Sequence, residues 1–378
     1  MPVMTFLTTC HFDFGALKQL GPALKAQKVT RPFIVTDAGI KAAGLLERAM
    51  GALGMEPAGI YAETPSNPTE TAARDAAAQY KAADADGIVA LGGGSSMDMG
   101  KAVGLMVTHE GPWEKYGGTQ RGTKIIGAIP PVIAIPTTAG TGSEVSVGFV
   151  LILDNGRKET FVSPKLIPNV AICDPELTLG LPASLTAATG MDAMTHCIEA
   201  ILSPVNNPPA EAIGYDGVWR GIGQDMLERA VEDGTDRDAR WHVMMSSYEG
   251  ALAFVKGLGA VHGLSHALGR INDLRLHHGT LNAVILPHSL RQIQEAGAMK
   301  EKFVRLRQVM GLGPNGDVAD AIADLNRKIG IPGSLSTIGV KDEHLAPSLD
   351  YAVSDLATAS NAIKVGPAEY EKLFAMSL

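Results

Sequence analysis

Cysteine is scarce in this chain of 378 residues, with Cys10, Cys173 and Cys197 far apart. Three scattered thiols exclude a disulfide framework and a cysteine zinc site, and read as small core residues in a reducing compartment. No apolar run is long enough to span a bilayer. The stretch Met1 to Leu7 has no basic residue, and His11 and Asp13 interrupt the chain before an apolar segment can form, so no secretory signal is expected. A basic excess is missing too: the formal charge is -8, which argues against the basic face that a nucleic-acid site needs. Internal repeats and low-complexity tracts are absent. These absences leave a cytoplasmic protein with neither membrane nor nucleic acid as partner.

What is present suits a protein with a large interior, hydrophobic residues making 46% and charged residues 19% of the chain. The length is too great for one core, so two domains are expected. Arg31 to Asp37, Gly87 to Leu91 and Val132 to Ile135 are short apolar runs closed by turns, while Ile40 to Leu53 and the stretch from about Ser96 carry helical periodicity. That alternation predicts a mostly parallel sheet covered by helices. Beyond about residue 180 strand-like runs vanish, and helical segments such as Leu185 to Ile201 and Met244 to Phe254 take over. The expected fold class is α/β followed by all-α: a dinucleotide-binding domain over 1–180, a helical domain over 181–378, with Leu181-Pro182 opening the first helix of the second.

The helical half carries metal-binding chemistry. Asp192 and His196 are four residues apart, as are His262 and His266, so each pair shares a helix face, and the His277-His278 pair follows. A lone histidine in an apolar helix is ordinarily a core or surface residue, but an unpaired carboxylate among the Ala and Met around position 192 would be costly to bury, and a cation is its simplest partner. One carboxylate and several imidazoles suit a borderline divalent ion, iron or zinc, with a position left for substrate. His277 and His288 are read as bystanders.

In the first half, Gly92-Gly-Gly-Ser-Ser-Met-Asp98 lies between a strand and a helix, where backbone amides and the helix dipole converge on an anion such as a cofactor pyrophosphate. Ser95 with Asp98 also fits a helix-capping pattern, with Lys101 offsetting the charge. The turn is not the usual Gly-x-Gly-x-x-Gly, and the acidic residue comes before it, as Asp37. Asp37 there either bonds a ribose diol and repels a 2'-phosphate, or simply forms a turn. Pro136-Thr-Thr-Ala-Gly-Thr-Gly-Ser-Glu144 adds a loop of small hydroxylated residues.

Four segments in this order, the glycine turn, the Pro136 to Glu144 loop, Ala-Ala-Thr-Gly-Met-Asp-Ala-Met-Thr-His and Val-His-Gly-Leu-Ser-His-Ala-Leu-Gly, resemble the iron-containing, group III alcohol dehydrogenases across nearly the whole chain. The resemblance implies a fold like that of dehydroquinate synthase, with a Rossmann-like amino-terminal sheet domain, a helical carboxyl-terminal domain and the metal in the cleft between them. It implies Asp192, His196, His262 and His278 as metal ligands, His278 rather than His277 because the family histidine directly precedes glycine. His266 resembles the further cleft histidine that is not a ligand, a candidate proton relay. Asp37, Asn67, Gly93, Gly94, Ser95, Ser96, Asp98, Thr137, Thr138 and Lys158 fall where the family contacts NAD. The expected cofactors are therefore NAD and a divalent metal, ferrous iron first, and the expected assembly is a homo-oligomer, in the simplest case a dimer. Ala357-Thr-Ala-Ser-Asn-Ala-Ile replaces the family's Cys-Thr-Gly-x-Asn-Pro-Arg, which points to a different outer cleft. Segments such as Phe12-Asp-Phe-Gly and Leu276-His-His-Gly-Thr-Leu-Asn-Ala look closest to bacterial members that interconvert 4-hydroxybutyrate and succinate semialdehyde. The expected reaction is hydride transfer between NAD(H) and a primary alcohol or aldehyde, with an ω-hydroxy acid as substrate. Arg270, one turn beyond His266 if that helix runs past Gly269, is either the carboxylate partner or a solvated surface arginine. A generic short-chain alcohol dehydrogenase, a lyase of the dehydroquinate synthase kind and a non-catalytic NAD- or metal-binding protein are the alternatives.

Overall fold

The computed structural model describes residues 8–378, apart from the side chain of Asn272. The Met1 to Leu7 stretch, read above for a secretory signal, lies outside the described residues. Among the described residues the chain divides into two compact units, one holding residues 8–138 and Gly142–Gly180, the other holding Ala139–Thr141 and Leu181–Leu378.

The first unit is built on strands β1 (Thr9–Phe12), β2 (Pro32–Val35), β3 (Gly59–Tyr61), β4 (Gly87–Gly92), β5 (Val132–Pro136) and β8 (Val170–Cys173). All six run parallel, in the order β1-β8-β5-β4-β2-β3. Successive side chains of a strand point to opposite faces. Val89, Leu91, Ile133 and Ile135 accordingly pack on one layer with Leu20, Leu24 and Leu53, whereas Ile88, Ala90, Val132 and Ala134 join Tyr80, Met97 and Val103 on the other. Burial on both faces explains why the central strands read as continuous apolar runs. β6 (Gly148–Ile152) and β7 (Lys158–Val162) form a separate antiparallel hairpin, and Phe149 stacks on Phe161 within it.

The expected strands at 31–37, 87–91 and 132–135 are present as β2, β4 and β5, while β1, β3, β6, β7 and β8 carried too little pattern to be read. The helix expected from Ile40 to Leu53 is two helices, Ala38–Ala42 and Leu45–Leu53, parted at Gly44, whose φ of 72° leaves the helical region.

Among the described residues no strand follows β8. The second unit is organised around the Ala183–Leu202 helix, buried from Thr186 to Leu202. It packs against the Pro208–Val218, Arg237–Ala253 and His278–Glu295 helices. An all-round apolar helix of this kind belongs at the centre of a helical layer rather than at its edge. No helix among the described residues is long and apolar enough to cross a membrane.

Candidate active site

The Ala183–Leu202 helix sets Asp192 and His196 one turn apart on one face. His262 comes from the Ala260–Leu268 helix, and His278 is the first residue of the His278–Glu295 helix. Gly279 lets that last helix approach: a Cβ there would stand 2.1 Å from the Ala188 carbonyl oxygen, so no side chain fits. The three helices bring Nε2 of His278, His262 and His196 to 3.6, 3.7 and 3.8 Å from Asp192 Oδ1. These separations exceed hydrogen-bond range. They lie close to the ~3.3–3.6 Å edge of a tetrahedron of donors bonded at ~2.0–2.2 Å to one ion. Asp192, His196 and His262 each offer an atom within 4.8 Å of the others, and all three are buried.

The outer nitrogens are engaged. His196 Nδ1 donates to the Gly140 carbonyl at 3.2 Å, and His262 Nδ1 donates to Glu199 Oε2 at 2.6 Å. Glu199 is itself fixed, because its Oε1 accepts from the Val261 amide at 2.9 Å. With Nδ1 protonated in each ring, both Nε2 lone pairs are left facing Asp192, the tautomer a metal requires. Burial opposes the charge of Asp192, yet His196, His278 and His262 outweigh it and hold the carboxyl well below its usual range. Burial pushes His196 down to about 4. For His262 burial works in the same direction, but Asp192 and Glu199 reverse it and lift the ring to about 9. A divalent cation competes with that proton for the same lone pair.

His266 stands beside this cluster, its ring stacked on that of His278 with centroids 5.1 Å apart. Its Nδ1 donates to Asp355 Oδ2 at 2.9 Å, and Asp355 Oδ1 accepts from the Ala357 amide at 2.8 Å. Asp355 also lines a cavity of about 490 Å³ with Thr358, Asn361, Ile363 and Lys364. This is the segment that departs from the family pattern. His277 is exposed and caps the helix that His278 begins, so of the pair only His278 joins the cluster.

The structure departs from two of the sequence expectations. The helix bearing His262 and His266 ends at Leu268, and Arg270 does not continue its face; its guanidinium lies over the Tyr351 ring. The Ser95–Asp98 capping pattern is also not used. The helix begins at Gly94 with Gly93 as its cap and no side-chain capping bond. Asp98 is instead fully committed inward, accepting from Ser143 Oγ at 2.6 Å and the Val150 amide at 3.0 Å.

In the α/β unit, Gly92 ends β4 with φ 147°, and a Cβ there would meet Ser96 Oγ at 2.6 Å. The turn that follows presents the first amides of the Gly94–Thr108 helix. Asp37 caps the Ala38–Ala42 helix through the Ile40 amide at 3.0 Å and also accepts from Ser96 Oγ at 2.8 Å. The Thr137 amide donates to the Gly92 carbonyl at 3.0 Å, and its hydroxyl is buried without a partner. Thr138 faces Gly93, and Lys158 Nζ donates to Asn67 Oδ1 at 3.3 Å. Beneath the turn, Lys101 is completely buried, donating to Ser143 Oγ, Ser146 O and Gly148 O at 2.9, 3.1 and 2.7 Å. Burial pushes its amine down to about 8 against the attraction of Asp98 and Glu144.

Sequence reasoning passed over Glu199, Asn282 and Asp355. Glu199 sits three residues after His196, on the same helix face, and Asn282 four after His278, spacings that mark shared faces. Asp355 lies far along the chain and left no such signal.

One unit gathers a buried carboxylate and three imidazoles and the other carries a glycine turn after a parallel strand, a combination that fits a metal-dependent oxidoreductase. The family model for iron-containing alcohol dehydrogenases matches residues 8–175, and that for the carboxyl-terminal domain of Fe-containing alcohol dehydrogenases matches 186–378. The chain belongs to the iron-containing alcohol dehydrogenase family. It is 46% identical to 4-hydroxybutyrate dehydrogenase of Cupriavidus necator, over the whole of both chains. To 1,3-propanediol dehydrogenase of Klebsiella pneumoniae it is 36% identical, over 96% of this chain and 95% of that one. The crystal structure of a 1,3-propanediol oxidoreductase superposes with a TM-score of 0.91 at 33% identity, covering both chains completely. The protein is therefore an alcohol dehydrogenase of the iron type, which sets aside the lyase and non-catalytic readings.

Proposed function

We propose that the enzyme interconverts 4-hydroxybutyrate and succinate semialdehyde, or a near ω-hydroxy acid, with NAD(H) as hydride partner. The observation that carries the chemistry is the set of three Nε2 atoms 3.6–3.8 Å from the buried Asp192 Oδ1. Asp192, His196, His262 and His278 would hold a divalent ion, ferrous iron first and zinc second. Such an ion, when bound, polarises the alcohol oxygen and lowers the pKa of its hydroxyl, which eases loss of hydride to a nicotinamide.

The chain's own residues do the rest. Glu199 holds the His262 ring so that Nε2 faces Asp192. Asp355 accepts a hydrogen bond from the Nδ1–H of His266, leaving Nε2 to accept the hydroxyl proton and pass it outward. The Gly92 to Asp98 turn receives the cofactor pyrophosphate at a helix N-terminus, and Thr137, with its unpartnered hydroxyl, and Thr138 stand where the nicotinamide half would lie. Asn67 and Lys158 complete the contacts, and Asp37 disfavours a 2'-phosphate.

The acid substrate is supported by the full-length relative at 46% identity, whose name is 4-hydroxybutyrate dehydrogenase. A carboxylate entering a protein needs a basic partner. With Arg270 on Tyr351, Lys364 in the cavity wall beside Asp355 takes that role. The test is a panel of alcohols and ω-hydroxy acids with NAD after anaerobic loading with ferrous ion. The highest kcat/KM is expected for 4-hydroxybutyrate. A preference for butan-1-ol or 1,3-propanediol would reduce the reading to a generic short-chain alcohol dehydrogenase.

A further inference from the structure

One polar side chain at the cluster has no role so far. Asn282 lies one turn beyond His278 on the same helix and is completely buried. Its Nδ2 stands 2.7 Å from Asp192 Oδ1, 3.2 Å from His262 Nε2 and 3.1 Å from His278 Nε2. The other end of the carboxamide, Oδ1, is buried with no hydrogen-bond partner. An orphaned buried carbonyl of this kind is unfavourable, so something must offset it. The amide has two protons and faces three acceptors, of which the carboxylate is nearest and charged, and a donor to a carboxylate is the stronger bond.

We propose that Asn282 is a positioning residue of the metal centre, donating to Asp192 Oδ1 so that this carboxylate stays turned toward Nε2 of His196, His262 and His278. The inference rests on the metal reading above. Without the donor, Asp192 keeps no neutral partner and is free to rotate about its side-chain bonds or to pair with a single ring. Nε2 of His262 and Nε2 of His278 stand 3.2 and 3.1 Å from the same amide, so one group faces all three ligand atoms. In this arrangement Glu199 orients one ligand from behind, and Asn282 orients the carboxylate from the front.

The experiment uses the full-length protein, stripped of metal and titrated with cobalt(II), whose visible bands report ligand geometry independently of turnover. Wild type, Asn282→Leu and Asn282→Asp are compared, with circular dichroism as a check on folding. The aspartate has the shape of asparagine but cannot donate when ionised, so it decides the matter even if the leucine variant does not fold. Both variants are expected to bind cobalt(II) about 10–100-fold more weakly, the usual loss for a group that orients a metal ligand, with shifted bands. Wild-type affinity and spectrum in Asn282→Asp would overturn the proposal. Tighter binding by Asn282→Asp would overturn it too, because the position would then be that of a ligand and not of a donor. Failure of wild type to bind cobalt(II) at all would bring down the metal reading itself, a result distinct from either.

Discussion

The glycine turn after β4 and the histidine cluster of the helical unit use opposite means. At the turn the groups on offer are backbone amides, placed by Gly92 at φ 147° and by a strand buried along its whole length. At the cluster they are side chains, brought from three helices to within 3.8 Å of one carboxylate oxygen. The side chains around the turn are spent on holding it: Asp37, Ser96 and Asp98 all bond within the unit. A site of backbone should therefore tolerate loss of most single side chains, whereas a site of side chains should fail when one is lost.

The largest effect tests the fragile side. His196→Ala and His278→Ala are each expected to abolish metal retention and lower kcat by at least ~10³-fold, the scale on which loss of electrostatic stabilisation is felt. Dinucleotide affinity should stay within about twofold, since the glycine turn is built without these residues. Elemental analysis with a dinucleotide titration checks both halves. Full metal in His278→Ala together with loss in His277→Ala would move the ligand to the neighbouring position.

Next in size is the support beneath the turn. Lys101→Met leaves Asp98 and Glu144 buried without their cation, and breaking such an arrangement costs about 3–5 kcal/mol. A fall in thermal midpoint with unchanged metal content is expected. Retained stability would show that the lysine is not what holds the loop.

Asp37→Gly separates capping from charge, because glycine at a helix cap costs only a few tenths of a kcal/mol. It should narrow the preference for NAD over NADP about tenfold, equivalent to ~1.4 kcal/mol. Equal efficiency with both cofactors in wild type would remove the basis of this prediction.

The smallest effect concerns the substrate. Lys364→Ala should raise KM for 4-hydroxybutyrate about two- to fivefold and leave butan-1-ol unchanged, as befits an exposed ion pair. Arg270→Ala should alter the two substrates alike, since its guanidinium is placed on Tyr351. The reverse result would restore the arginine as carboxylate partner.

The sequence by itself determined the class of fold, the change near residue 180 from alternating elements to helices, and the local halves of each candidate site. Asp192 with His196, or a glycine run between strand and helix, is legible because spacing along a helix and φ at a glycine are properties of a few consecutive residues. Short strands such as Gly59–Tyr61 were not legible, since three residues carry no period and their burial comes from neighbours. Only the tertiary structure ended the His266 helix before Arg270 and brought Glu199, Asn282 and Asp355 to the rings they serve. Those pairings join residues as many as 90 positions apart, as between Asn282 and Asp192, where no local rule relates one side chain to another and only packing sets the distance.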